Sequence, residues 1–226
     1  MTKPGARADR PVRPALSRAF IVRTALELID RNGIAGLSMR KLGQEIGVDP
    51  MAVYHYLPNK AALFDGVMEA VYSEIEFDPA DFTGDWREQV TLFMRRLREA
   101  VRRHPNALPV LSTRPAYSPG MLRIGEHALG VMHAAGFSLP QAIDIVNCLG
   151  TFTIGHALAE VGEPVGGATA TPEELGRMVT PDAYPTLAKA FASGYEYRPD
   201  EQYELGLAAM LAGFELVRET RGGAAR

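Results

Sequence analysis

The sequence predicts an all-α protein in which a small N-terminal three-helix domain is joined through a linking helix to a larger helical domain. Three observations carry this. No sustained alternation of apolar and polar residues, the pattern of a half-buried strand, occurs anywhere in the 226 residues. Apolar residues instead recur at 3.6-residue spacing between a Ser, Asp or Asn at one end and a Gly or Pro at the other. The stretch Ser38–Lys60, SMRKLGQEIGVDPMAVYHYLPNK, also crowds three helix starts into 23 residues.

Residues 1–14 mix Pro4, Pro11 and Pro14 with basic and small residues and read as a disordered basic arm. Ser17 then caps a helix near 17–32, with the stripe Ile21, Ala25, Leu28 and Ile29 and a stop at Asn32-Gly33. Ser38 caps a second helix, with Leu42 and Ile46 inward, and Gly47 supplies the left-handed residue that ends it. Asp49-Pro50 is a cap and first-position pair opening a third helix to about Tyr56. After Leu57-Pro58, Asn59 caps a fourth, carrying Leu63, Phe64, Val67, Met68, Val71 and Ile75.

The remainder stays helical. FDPADFTGD is a loop, Asp85 or Trp86 begins a helix to about Arg103, and the prolines of HPNALPVLSTRPAYSPG allow only short helical pieces. A helix from Met121 to about Ala135 closes at Gly136. Ser138 with Gln141 forms a capping box for a helix over 139–161. GEPVGGATATP reads as a mobile loop. Short helices follow over 172–179 and 185–193, then a last one over 200–219 and a tail, 221–226.

Composition bounds the function. With 46% apolar and 23% charged residues the chain is ordinary for a globular protein and long enough for a sizeable core. No apolar run approaches the roughly 20 residues that span a bilayer, and the first 15 residues lack the apolar centre of a secretory signal, so a cytoplasmic location without membrane association is expected. The single Cys148 lies in an apolar segment and is expected to be buried. The five histidines form no His-Glu-x-x-His or Cys/His cluster, and neither Gly-x-Ser-x-Gly nor a phosphate-binding glycine loop occurs. Catalysis, metals and cofactors are therefore not expected.

Charge is distributed unevenly behind the net −3. Residues 1–60 hold ten Lys and Arg against five acids, a balance of +5, which leaves −8 for the rest. The basic end coincides with the short helices joined by Gly47-Val48-Asp49, whose spacing is that of a helix-turn-helix, although it also fits an αα-hairpin in a bundle. In the first reading, the helix starts at Ser17, Ser38 and Asn59 offer backbone N–H groups to phosphates while Asp49 launches the helix that lies in the major groove. Leu42, Ile46, Val48 and Val53 would be buried, leaving Arg40, Met51, Ala52, Tyr54, His55, Tyr56 and Lys60 for DNA.

At these residues a resemblance emerges. Leu-Ser-x-Arg-x-Leu, Gly-Val, Val-Tyr-x-Tyr, Asn-Lys and Ala-Leu follow one another over residues 17–64 as in the DNA-binding domain of the tetracycline-repressor (TetR) family of bacterial transcriptional regulators. The resemblance implies that Arg40, Met51, Ala52 and His55 face bases and that Ser38, Tyr54, Tyr56 and Lys60 hold phosphates. It implies a DNA-binding domain over 15–60 and a ligand-binding and dimerisation domain over 61–220. Side-chain chemistry agrees in part, since Arg can pair with guanine O6/N7, His with a base edge, and Met or Ala with a thymine methyl.

Behind residue 75 the chain is similar to the tetracycline-repressor branch of the family through Ser112-Thr-Arg-Pro115, Gly136-Phe-Ser-Leu139 and Phe152-Thr-Ile-Gly155. Where that branch holds magnesium with a His and a Glu, this chain has Val110 or Leu111 and Ala159, so magnesium-tetracycline is not the expected inducer. Glu160 is one residue on, turned about 100° around the helix. A pocket is expected among Trp86, Phe93, Leu97, Leu111, Thr113, Arg114, His127, Met132, Cys148, Phe152 and His156, suited to a mostly apolar small molecule with a few polar groups. Helices 139–160 and 200–219, with wide apolar faces, are expected to form a homodimer interface, and the helix near 59–76 to act as the lever between pocket and a palindromic double-stranded DNA operator. The competing class is a helical ligand-binding protein without DNA activity, which the acidic larger domain would suit.

Overall fold

The computed structural model describes residues 15–113, 118–162 and 171–222. The basic arm over 1–14, Arg114, most of the loop after Gly162 and the end of the tail lie outside them. The described residues contain no strand. The N-terminal elements are α1 (Arg18–Asn32), α2 (Met39–Ile46) and α3 (Pro50–Tyr56), and the linking helix is α4 (Lys60–Ser73). Their boundaries follow local chemistry: Ser17, Ser38, Asp49 and Asn59 accept hydrogen bonds from the backbone N–H groups of Phe20, Lys41, Met51 and Ala62 respectively. Gly47, at φ 80° and ψ 36°, turns the chain out of α2, and its N–H reaches back to the carbonyls of Gly43 and Gln44. Leu42 and Val53 are fully buried; Ile46 and Val48 are only half-buried, because they lie at the open edge of the turn.

α1 packs along α4 with Ile21, Val22, Ala25 and Ile29 against Leu63, Val67 and Val71. The approach is close at Gly66, where an added Cβ would lie 2.5 Å from Val22 Cγ2. Valine is stiff at χ1 and buried here, so it cannot swing aside. Gly66→Ala is therefore expected to lower the thermal midpoint, an overpacking cost of about 1–3 kcal/mol outweighing the roughly 1 kcal/mol of helix propensity that alanine adds. A raised midpoint would contradict this packing.

The larger body comprises α5 (Trp86–Arg103), α6 (Leu108–Thr113), α7 (Pro119–Ala134), α8 (Leu139–Val161), α9 (Pro172–Met178), α10 (Pro185–Ala192) and α11 (Pro199–Gly222). Asp85 and Glu88 form a capping box at the start of α5, as Ser138 and Gln141 do for α8. α7 and α11 start earlier than the sequence suggests, at Pro119 and Pro199, since a proline in the first helical turn has no N–H to leave unpaired.

The long α8 lies against α5, α6, α7 and α11 and buries Ala142, Ile145, Leu149, Thr153 and Ala157. By length and composition this helix could cross a membrane, at mean hydropathy 1.3, although polar residues from Gln141 to Glu160 leave it no unbroken apolar run. Its buried stripe on α5 and its buried Glu160 give that composition a use inside the helical body. Cys148 corrects an expectation from the sequence. It is exposed, because it points away from the buried stripe of α8, and it belongs to neither the core nor the pocket.

Candidate nucleic-acid interface and ligand cleft

The outer face of the N-terminal unit gathers the residues expected to meet DNA. Met51 is 71% exposed, Tyr54, His55 and Tyr56 are exposed beside it on α3, and Ala52 is half-buried under them. A methionine at that exposure in a short, capped helix gains nothing from folding, and it is available to a partner. Arg40 is exposed on α2, and Ser38 is exposed while its Oγ serves as the helix cap. Lys60 is exposed but tethered, with Nζ donating to the Leu37 carbonyl at 3.2 Å and lying 5.3 Å over the Phe64 ring. That tether joins α4 to the start of α2, and no local sequence signal announces a contact 23 residues apart. Arg31 and Glu45, 2.5 Å apart, brace α1 against α2 from the other side.

α4 carries this unit to the larger body, where its Tyr72 reaches a cleft of about 480 Å³. Phe93, Met94 and Leu97 of α5, Leu111 and Ser112 of α6, and Asn147, Thr151 and Ile154 of α8 form its walls. The volume is that of a small-molecule site, and the lining is apolar with a few side-chain donors and acceptors. Beside Phe93, Met94 and Val146 lies a second, smaller apolar cavity of about 20 Å³, lined also by Phe77, Phe82 and His127. The His127 ring packs edge-on to Phe77 and Phe82, with Nε2 3.1 Å from Gln89 Oε1.

The expected pocket residues therefore divide. Phe93, Leu97 and Leu111 line the cleft, and His127 lines the smaller cavity. Trp86 is buried at the start of α5 with its ring edge-on to Phe137 of the α7–α8 connection, and Met132 is fully buried in the core; neither lines the cleft. Thr113 is exposed at the end of α6, its hydroxyl donating to the Pro109 carbonyl at 2.7 Å. Phe152 and His156 face α11, where Phe152 stacks on Tyr203 with ring planes 10° apart. Tyr72, Asn147 and Thr151 were not singled out in the sequence. The i, i+4 pair Asn147 and Thr151, on one face of a helix of high mean hydropathy, is the signal that could have found the last two.

Between α5, α8 and α11 lies a buried polar network. Tyr203 donates to the Met94 carbonyl at 3.1 Å and lies 3.0 Å from the Thr153 hydroxyl. Burial pushes the Tyr203 phenol up from its ordinary range, so it stays a neutral donor. Arg98 lies over its ring and bonds Glu160 at 2.8 Å, and Arg102 bonds the other oxygen of Glu160 at 2.9 Å. With 5% of its side chain exposed and both oxygens held by arginines, Glu160 is committed to the core.

Two family descriptions match the chain: bacterial regulatory proteins of the tetR family over residues 21–67, and the tetracyclin repressor-like C-terminal domain over 78–218. The HTH-type transcriptional repressor DrrR1 of Streptomyces coeruleorubidus is 29% identical, over 98% of this chain and 86% of its own length. The class C tetracycline repressor protein of Escherichia coli is 32% identical, over 91% of this chain and 93% of its own. Among solved structures, ActR of Streptomyces coelicolor in complex with actinorhodin superposes with a TM-score of 0.77 at 25% identity, covering 90% of this chain and 98% of that one.

Proposed function

This chain belongs to the TetR family of bacterial transcriptional regulators, and from that premise we propose that it represses transcription in the cytoplasm as a homodimer, releasing a palindromic operator when a small molecule fills the cleft. The observation that carries the reading is the continuity of α4, which holds the exposed α2–α3 face at one end and contributes Tyr72 to the cleft at the other.

One α2–α3 unit offers too few contacts for a specific site, so two copies reading half-sites about 34 Å apart are required. Support for the dimer comes from the side chains left unburied on one subunit: Leu205, Leu216 and Val217 on α11, Leu139, Ile143 and Leu158 on α8, and Leu187 and Phe191 on α10. A ligand moves α4 only by binding one of its positions better; a shift from 1% to 99% released takes roughly 5.5 kcal/mol of differential affinity. The cleft favours a mostly apolar molecule hydrogen-bonded by Ser112, Asn147 or Thr151, and ActR's complex with actinorhodin supports small-molecule binding by this fold. Magnesium-tetracycline is disfavoured by Val110, Leu111 and Ala159, and by the engagement of Glu160 with two arginines.

In this reading Arg40, Met51, Ala52 and His55 contact bases, and Ser38, Tyr54, Tyr56 and Lys60 contact phosphates. Arg40→Ala should cost roughly 1–3 kcal/mol and relax preference at one base pair, whereas Tyr54→Phe should weaken binding to every sequence alike. Binding measured across single-base variants of a selected duplex separates the two; equal loss on all variants for Arg40→Ala would remove its base-reading role.

A further inference from the structure

We propose that His104 is a positioning residue that fixes the DNA-reading unit on the larger body through a proton held between Asp30 and Glu74, and that the grip on DNA weakens as this proton is lost; the inference rests on the DNA-binding reading above.

Three helix C-termini meet at this point. His104 ends α5, Asp30 lies in the last turn of α1, and Glu74 caps α4. The imidazole is largely buried, with Nδ1 2.8 Å from Asp30 Oδ2 and Nε2 2.8 Å from Glu74 Oε1. Ionised carboxylates only accept hydrogen bonds, and a neutral imidazole has a single N–H. For both contacts to be hydrogen bonds, the three groups must hold one proton more than a neutral ring between two carboxylates. Both carboxylates also sit at the negative ends of helix dipoles, which favours a cation between them.

From α5, Arg103 Nε bonds Glu74 Oε2 at 2.8 Å. From the 3₁₀ turn Pro105–Ala107, the neutral Asn106 donates to the Asp30 backbone carbonyl at 2.9 Å. On α1, the neighbouring Arg31 is paired with Glu45. Asp30 Oδ1 is buried without a partner, so the histidine is the side chain that answers this carboxylate. Burial alone would raise the Glu74 carboxyl, but hydrogen bonds from His104 and Arg103 outweigh it and hold the group below its usual range.

The clamp sits where a ligand's effect must pass. α5 lines the cleft with Phe93, Met94 and Leu97, α6 follows the 3₁₀ turn with Leu111 and Ser112, and α4 reaches it with Tyr72. A dimer spanning two half-sites needs both reading units at a fixed separation, and a unit undocked from the body must be reordered when it binds. The clamp's contribution is complete while the shared proton is bound and is lost as rising pH removes it.

The test titrates the full chain against a duplex recovered by selection from random DNA, at fixed ionic strength between about pH 5 and about pH 8. The parent is compared with His104→Gln, Asp30→Asn and Glu74→Gln. His55 is common to all and cancels from the ratios. The parent should bind about tenfold tighter than His104→Gln and Asp30→Asn at the acidic end, the size of one lost charge-assisted hydrogen bond, with the ratio closing towards unity at the alkaline end, whereas Glu74→Gln also weakens the Arg103 contact and its ratio falls with pH to a constant value above unity. Thermal midpoints without DNA should follow the same course. An affinity ratio that stays flat, or grows with pH, overturns the proposal. If the parent binds no duplex, the DNA-binding reading fails, and the midpoints still judge the clamp: a gap between parent and His104→Gln that does not shrink with rising pH removes it.

Discussion

Glu160→Ala is expected to lower stability by about 3–5 kcal/mol, equivalent to a fall of roughly 6–20 °C in thermal midpoint for a chain of this size. Arg98 keeps only 9% of its side chain in solvent, and Glu160 only 5%. Removing the carboxylate strands a buried guanidinium, and the acid still bonded to it, Asp200, is 73% exposed and screened by water. Arg102, at 37% exposure, loses much less because it can turn outward. Two controls give the prediction content. Asp200→Ala should cost under about 1 kcal/mol as an exposed partner, and the joint replacement Arg98→Met with Glu160→Leu should cost less than Glu160→Ala alone, because no unpaired charge remains. Calorimetric or denaturant unfolding reads all three; a double replacement that costs more than the single one would contradict the assignment.

The second large effect concerns assembly. Ala212→Arg on α11 places a charge on a face that is exposed in the single subunit, so the fold should keep its thermal midpoint when measured as a monomer. In the proposed dimer the same charge would be buried without a partner. Sedimentation should then find single chains, and affinity for a selected operator should drop by about a thousandfold or more, the gap between specific and non-specific binding. A dimer that persists with undiminished operator affinity would move the interface off α11.

The contrast between these two sites explains how much the sequence disclosed. Helix boundaries were legible because their causes are local. Ser17, Ser38, Asp49, Asn59, Asp85 and Ser138 cap within three residues, and Gly47 and Gly136 take left-handed backbone where a side chain would be strained. The α2–α3 face was legible for the same reason, since it follows from the spacing of caps and apolar residues. The polar network was not. Arg98 and Glu160 are 62 residues apart, and His104 meets Asp30 at a separation of 74, so only the packing of α5 against its neighbours brings them together.

The walls of the cleft were legible in part, and the residues placed elsewhere share one cause. Phe93, Leu97 and Leu111 line the cleft, but Cys148, Phe152 and His156 were read from an apolar α8 without knowing which face meets which neighbour. A helix that packs on α5, α6, α7 and α11 is apolar around much of its circumference, so periodicity loses its power to separate core, cleft and interface. The same breadth gives α8 its membrane-like hydropathy.

The central claim is that two copies of this chain read a symmetric DNA site under the control of the cleft between α4, α5, α6 and α8. Selection of bound sequences from random duplex DNA by the purified protein, at several salt concentrations, tests it most directly. The expected result is a palindrome with half-sites about one helical turn apart, bound with an affinity that falls steeply as salt rises. No enriched sequence at any salt concentration would contradict DNA reading and leave a helical small-molecule-binding protein in its place.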